Sequence, residues 1–372
     1  MKKRAVFAIG LVICIGVAVY CLNFFTTKSS SRPAISVDSG QLKHTRIIAV
    51  PSMPLEDGKN VIWCASFQAA WRTLQKDVAK GPVKLEGADK LCAFLNQADE
   101  VKGLVPEGSL YTKAGRVRDG VIETIRSDVD KMLPGKEPPS FPATSPDDCI
   151  AYAYLESHVS FDIPYFQNRE PLMFRDAQGR ETAVRSFGIR RDDGGECQQL
   201  RRQLNLLYAT TDSNFKITEC AIDLDTRSPV QVVVAMAKRR STLEETLASL
   251  EKKISASATL SNVYGFNDRD ILLIPDIPWH ISHHFTEFEG RSFVNDRLQG
   301  YSLAEARQDM EFQLDHRGAG LKVEASMFAV MCVPAAYIFD RPFLVYMKRR
   351  GVEKPFFAMW VDNAELLRPW KS

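Results

Sequence analysis

Residues 311–343 read EFQLDHRGAGLKVEASMFAVMCVPAAYIFDRPF. Glu311 to Asp315 carries an alternation of apolar and polar side chains that suits the end of a strand. His316-Arg317-Gly318-Ala319-Gly320 follows as a small-residue hinge. Beyond it Ala319, Leu321, Val323, Ala325 and Met327 alternate with Gly320, Lys322, Glu324, Ser326 and Phe328. A period of two marks a half-buried strand, yet this segment lies between a glycine-rich hinge and Pro334, where an exposed loop belongs. It reads as a loop and as a would-be strand.

The surrounding chain limits what such a stretch can serve. It has 372 residues, with 48 basic against 46 acidic side chains and 45% hydrophobic residues, enough for a sizeable core. No basic stripe with interleaved aromatics appears, so nucleic acid is not an expected partner. Lys2-Lys3-Arg4 precedes an apolar run from Ala5 to Phe25, about 20 residues and long enough to span a bilayer. Residues 1–27 are therefore expected to be a membrane anchor or a signal peptide, residues 28–45 a linker, and residues 46–369 the folded domain. In either case the domain is exported, membrane-anchored or secreted. Cys64, Cys92, Cys149, Cys197, Cys220 and Cys332 lie outside the apolar run, with no CxxC and no metal-type spacing. An oxidising compartment permits disulfides, and Cys197 with Cys220 is one open pairing.

Helices are expected early and strands later, an α+β arrangement. Lys59 to Leu74 starts as a strand and continues as a helix with Phe67, Trp71 and Leu74 on one face. Further helices are expected from Gly87 to Leu95 and from Gly120 to Met132. Strands follow at Ile150–Leu155, at Leu172–Phe174 with Thr182–Ile189, and at 204–210, 215–222 and 230–237. Gln231 to Met236 is apolar enough to be buried on both faces. Ser241 with Glu244 fits a capping box for a helix striped by Leu243, Leu247 and Leu250. Residues 270–277 read as one strand and residues 302–308 as a short helix, with a final hairpin around Arg350-Gly351.

Four blocks, in order, resemble the serine-protease-inhibitor (serpin) family. They are Phe161 to Ile189, Val230 to Leu250, Glu311 to Gly318, and Phe339 to Val361 with its Asp340-Arg341-Pro342-Phe343-Leu344 core. Asn60-Val61-Ile62-Trp63 is similar to the family's entry strand. The separation of Asp315 from Phe343 is also close to that of a serpin reactive loop. The resemblance implies an α+β fold with a large central mixed sheet, further sheets, surrounding helices and an exposed reactive-centre loop at about residues 319–338. It implies no enzyme and no cofactor. In that family a protease cuts the loop, and the freed segment inserts into the large sheet, dragging the acylated protease along.

For this chain the inserting face would be Leu321, Val323, Ala325 and Met327, and the scissile bond Met331-Cys332 or Cys332-Val333. No Arg or Lys lies between Lys322 and Arg341, so an elastase-, chymotrypsin- or subtilisin-like partner is implied rather than a trypsin-like one. The chain departs from the inhibitory pattern at His316, where Glu is usual, and across Leu321 to Glu324, where small residues are usual. Phe161 and Ala153 replace a usual Trp and Asn. The alternative is a non-inhibitory binding or scaffold protein of the same fold. His280, His283 and His284 with Glu287 and Glu289 have metal-ligand chemistry, but Pro278 argues against the helix such spacing needs, and strand-end histidines are expected instead. Lys238-Arg239-Arg240 and Lys348-Arg349-Arg350 are expected surface turns that would need to converge to bind a polyanion.

Overall fold

Val230–Met236 reads VQVVVAM and only Gln231 escapes full burial, so this strand needs neighbours on both edges and cover on both faces. It lies inside a seven-stranded sheet ordered Asn205–Thr211, Ile217–Asp223, Val230–Met236, Phe343–Arg349, Phe357–Val361, Asn60–Cys64 and Thr45–Ile48. The C-terminal hairpin thus wedges between the central strands and the N-terminal pair, tying the two ends of the domain together. Asn60 closes that join: its side chain donates to Asn363 Oδ1 (3.0 Å) and accepts from the Asp362 and Asn363 amides (2.8 and 3.0 Å), all buried.

The computed structural model describes residues 35–98, 101, 103–132, 139–141, 145–156, 161–190, 196–258, 266–267, 269–317 and 335–371. The second large element is a six-stranded sheet. Its main order is Ile35–Asp38, Ile277–His284, Ser302–Leu314, Asp148–Glu156 and Leu110–Arg116, with Arg291–Ser292 pairing beside Ser302. Ile35–Asp38, within the stretch expected as linker, is its edge strand. A four-stranded sheet runs Ala336–Ile338, Ile271–Pro275, Ser186–Ile189 and Phe166–Gln167, and Leu172–Arg175 with Glu181–Val184 forms a separate hairpin.

Helix Ala65–Thr73 lies on the inner face of the six-stranded sheet, where Phe67 stacks on Phe285 (3.7 Å) and Trp71 meets Phe288 (5.1 Å). Such aromatic groups supply large buried area and set the packing geometry. Helix Val121–Met132 covers the opposite face, where Val121, Ile125 and Val129 join Ile150, Tyr152 and Tyr154 in a small second core.

The structure corrects several expectations. Ser302 to Gln308 is no helix but the first half of the 13-residue strand Ser302–Leu314. Ala306, Gln308, Met310, Phe312 and Leu314 are buried at alternate positions, and partners on both edges override the local helical propensity. The chain changes sheets at Arg185 and at Asp276, which splits 182–189 and 270–277 each into two strands; the Asp276 amide bonds the Arg185 carbonyl (2.9 Å) at the crossing. A helix at Glu196–Gln203 escaped the reading, its signal being Cys197 and Leu200 one turn apart. Thr242 rather than Ser241 caps helix Leu243–Ala258: its hydroxyl accepts from the Glu245 amide (3.1 Å), and Glu245 accepts in turn from the Ser241 amide (3.2 Å).

Cys197 and Cys220 are both buried and form no disulfide with each other. The two basic runs sit at opposite ends of paired strands, since Gln231 faces Lys348 while Ala235 faces Leu344, and do not converge. Among the described residues no helix is long and apolar enough to cross a membrane, and residues 1–34, with the expected anchor or signal segment, lie outside them.

Asn60→Ala removes one side chain and leaves the Asp362 and Asn363 amides unpaired in the core. Chemical denaturation of the variant is expected to show a loss of about 2–4 kcal/mol.

Candidate functional site: a seam in the large sheet and its hinge

The pairing of Ser302–Leu314 with Asp148–Glu156 singles out the site. The two strands run parallel, from Ser302 against Asp148 to Glu311 against Glu156, with one bulge between Leu303 and Glu305. Each is antiparallel to its outer neighbour. On the Ile277–His284 side, Ser302–Leu314 stays paired to its last residue, Leu314 against Ile277. A segment that reversed direction after Leu314 and entered this seam would be antiparallel to both strands. One parallel ladder would become two antiparallel ladders, which pair slightly better per residue.

The hinge follows at once. Asp315 Oδ1 accepts from the Arg317 amide (2.8 Å) and Oδ2 from Gln313 (2.6 Å), a turn built by a local carboxylate. The Tyr165 amide donates to the His316 carbonyl (2.9 Å), and the Tyr165 hydroxyl donates to the Leu224 carbonyl (2.5 Å). Tyr165, packed on Phe161 and Phe187, thus pins the hinge to the core. The chain re-enters the described structure at Ala335, whose amide bonds Asp270 Oδ1 (2.7 Å), and Ala336–Ile338 pairs parallel with Ile271–Pro275.

Of the residues expected to form the site, His316 and Arg317 are therefore placed. Gly318, Ala319 and Gly320 of the hinge, Leu321, Val323, Ala325 and Met327 of the inserting face, and Met331, Cys332 and Val333 of the scissile region lie outside the described residues. The seam is not visible in the sequence, because the first half of its longer strand carries a helical pattern.

Four polar contacts cluster at the seam, of which Tyr152–Asp309 and Arg307–Ser140 cross it. On the outer face the Tyr152 hydroxyl donates to Asp309 Oδ2 (3.0 Å) across it, and Asp309 Oδ1 accepts from Arg307 Nε (3.0 Å). Arg307 Nη1 also reaches the Ser140 carbonyl (3.1 Å), on the connection leading into Asp148–Glu156. On the inner face Gln308, which faces Ala153 across the seam, donates to Ser66 Oγ (2.5 Å) at the start of the buried helix. An inserted strand would move the seam strands apart by about 4.8 Å, beyond reach of the Tyr152–Asp309 bond.

The same region carries buried polar atoms that make no hydrogen bond among the described residues: both Glu305 oxygens, Gln308 Oε1, both Asp276 oxygens, His316 Nδ1 and Trp279 Nε1. Orphaned buried groups each cost on the order of 1–3 kcal/mol. Burial pushes the Glu305 carboxyl up to about 7 against the pull of His284 and Arg307, and pushes Asp276 up to about 6 despite Arg368, whose Nε is 3.9 Å away. Burial also lowers the pKa of His316, so its imidazole stays neutral at the pH where a free histidine would begin to charge. A cavity of about 10 Å³ remains beneath Met310 and Phe312, beside Cys64 and Leu155. His280, His283 and His284 lie on strand Ile277–His284, and among the described residues no group of metal-ligating side chains assembles.

The chain has the serpin fold. Human glycosylated kallistatin superposes with a TM-score of 0.50 at 14% identity, covering 82% of this chain and 92% of that one. Mouse protein-Z-dependent protease inhibitor does so with a TM-score of 0.50 at 13% identity, covering 83% and 91%. A thermophilic serpin, tengpin, in its native state is matched with a TM-score of 0.47 at 11% identity over 83% and 90%. No protein-family model matches the sequence, and no curated protein does.

Asp276 gives a pH signature. Its pKa is raised in the fold from the ordinary 3.8 to about 6, so its stabilising contribution is complete below about pH 4 and is lost as pH rises through 6. Asp276→Asn removes that loss. The variant is expected to melt with the parent at pH 4 and above it at pH 7.5, by at most about 3 kcal/mol; differential scanning calorimetry at the two pH values checks this.

Proposed function

We propose that this protein is an extracytoplasmic inhibitor of serine-type endopeptidases that works through a cleavable bait loop at about residues 319–338. The observation that carries the reading is the parallel seam between Asp148–Glu156 and Ser302–Leu314, one strand of which runs without a break into the hinge. The hinge leads into a segment with the period of a strand. Cleavage after Met331 or Cys332 frees that segment to reverse at Arg317 and enter the seam, with Leu321, Val323, Ala325 and Met327 facing the core and Lys322 and Glu324 facing water. Burial of Leu321, Val323 and Met327 contributes roughly 1.5–3 kcal/mol each, and opening the seam gives the orphaned polar atoms access to new partners. The uncleaved state is then held by kinetics rather than by depth of free energy.

The protease partner is of elastase, chymotrypsin or subtilisin type, because the scissile region offers no basic residue. The protein acts outside the cytoplasm as a monomer, anchored or released according to the fate of residues 1–27. Neither an enzymatic activity nor a nucleic-acid partner is part of this reading.

A second reading, a non-inhibitory serpin-fold scaffold, draws on the bulk and charge of Leu321 to Glu324 and on the Tyr152–Asp309 and Arg307–Ser140 contacts. All of these slow opening, and trapping requires insertion to outrun hydrolysis of the acyl bond.

Nicking the loop with a broad-specificity protease separates the two. The inhibitor reading expects a large rise in melting temperature and a detergent-resistant protease adduct whose cleavage maps between Met331 and Val333. No rise and no adduct leaves the scaffold. Tyr152→Phe keeps the ring and deletes the cross-seam bond. It is expected to destabilise the intact chain by about 1 kcal/mol and to leave the melting temperature of the nicked chain unchanged.

A further inference from the structure

The outer face of the large sheet holds a cleft of about 340 Å³ that the inhibitory reading does not use. Its walls come from the N-terminal edge strand Ile35–Asp38, the turn after it, strand Ile277–His284 and the seam strand. Ser36, Gln41, His280, Ser282, His284 and Arg307 line it, with Asp38 as the one carboxylate. The volume is at the small end of ligand sites.

Its hydrogen-bonding groups are unevenly committed. His280 uses Nδ1 with Ser36 Oγ (3.3 Å), and His284 uses Nδ1 with Glu289 Oε1 (2.9 Å), so among the described residues Nε2 of both is uncommitted. Arg307 spends Nε on Asp309 and Nη1 on the Ser140 carbonyl, leaving Nη2 without a partner among the described residues. Glu305, whose Oε1 lies 3.9 Å from Arg307 Nη1, is buried without a hydrogen bond among the described residues, and burial pushes its carboxyl up to about 7; the other nearby acids hold bonds. Asp38 accepts from the Gly40 amide (2.8 Å), Asp309 from Tyr152 and Arg307, and Glu289 from the Ala306 amide as well as facing His284. The cleft therefore presents Arg307 Nη2, the Ser282 hydroxyl and the Gln41 amide, with His280 Nε2–H when Nδ1 accepts from Ser36 Oγ and His284 Nε2–H when the ring is protonated, a state that its hydrogen bond to Glu289 favours.

We propose that this cleft binds a small oxyanion of phosphate or sulfate type through His280, His284 and Arg307, and that occupancy loosens the seam by drawing the Arg307 guanidinium away from the Ser140 carbonyl. Planar guanidinium and imidazole donors suit such an oxyanion. Arg307 is the coupling element because it both lines the cleft and reaches across the seam. An anion that binds more tightly when Arg307 is released must, by linkage, favour that release. The binding claim stands on the cleft alone; the regulatory claim rests on the seam being the element that opens.

The test uses the full chain in phosphate- and sulfate-free buffer with inorganic phosphate as the probe. Calorimetric titration is expected to give saturable one-site binding that His280→Gln combined with His284→Gln weakens about tenfold, or about 1.4 kcal/mol, while His44→Gln, outside the cleft, leaves it unchanged. Absence of saturable binding, or an equal loss in the His44→Gln control, overturns the site. In parallel, amide hydrogen exchange across Asp148–Glu156 is expected to speed up with phosphate, and to stop responding in Arg307→Lys. Saturable binding with unchanged exchange keeps the site and overturns the coupling, leaving loop insertion to its own melting experiment.

Discussion

Everything distinctive about this protein depends on one register, Ser302–Leu314 lying parallel against Asp148–Glu156. Most neighbouring strands in the large sheet are antiparallel and joined to their surroundings by short, local logic. This pair is separated by some 150 residues of chain, and nothing covalent crosses directly between them. It is held by its ladder, by Tyr152 and Arg307 on one face, and by Gln308 with Ser66 on the other. The proposed insertion requires the sheet to part along this line while the seven-stranded sheet and its C-terminal hairpin stay intact.

The polar chemistry of the seam works in two directions. The Tyr152–Asp309 bond and the Arg307 bond to the Ser140 carbonyl have to be broken for the strands to separate. Among the described residues Glu305, Asp276 and Oε1 of Gln308 are buried without a hydrogen bond, the two carboxyls having only an arginine 3.9 Å away, and each costs free energy in the closed state. Bonds that vanish on opening set a barrier, whereas orphaned groups that gain water or partners set a driving force. On the proposed inhibitory reading, a closed sheet with both is held in place kinetically. On the proposed reading the bulk and charge of Leu321 to Glu324 add to the barrier.

Much of this was legible in the sequence, for identifiable reasons. Gln231 to Met236, the final hairpin and the strand-to-helix passage at Asn60 to Thr73 carry long apolar patterns that tertiary context reinforced. The seam strand was half hidden. Leu303, Ala306 and Met310 fall at helical spacing among Ala, Glu, Arg and Gln, all good helix formers, while the inward row is broken by the polar Gln308. Its true alternation emerges only when both edges are paired. The sheet changes at Arg185 and Asp276 are invisible for a similar reason: apolar residues flank each corner (Val184 and Phe187, Ile274 and Ile277), and the partner of each corner is the other one. The cross-seam contacts join residues some 150 positions apart, and a single sequence gives no sign of such pairings.

The central claim is that the seam accepts the cut loop as a new strand. Hydrogen exchange by mass spectrometry, on the intact chain and after a single cut in the loop, tests it most directly. Insertion predicts that amides of Asp148–Glu156 and Ser302–Leu314 become more protected after the cut, and that the segment from Leu321 to Met327 acquires protection with them. Unchanged exchange in the seam strands, with the cut segment exchanging freely, would contradict it.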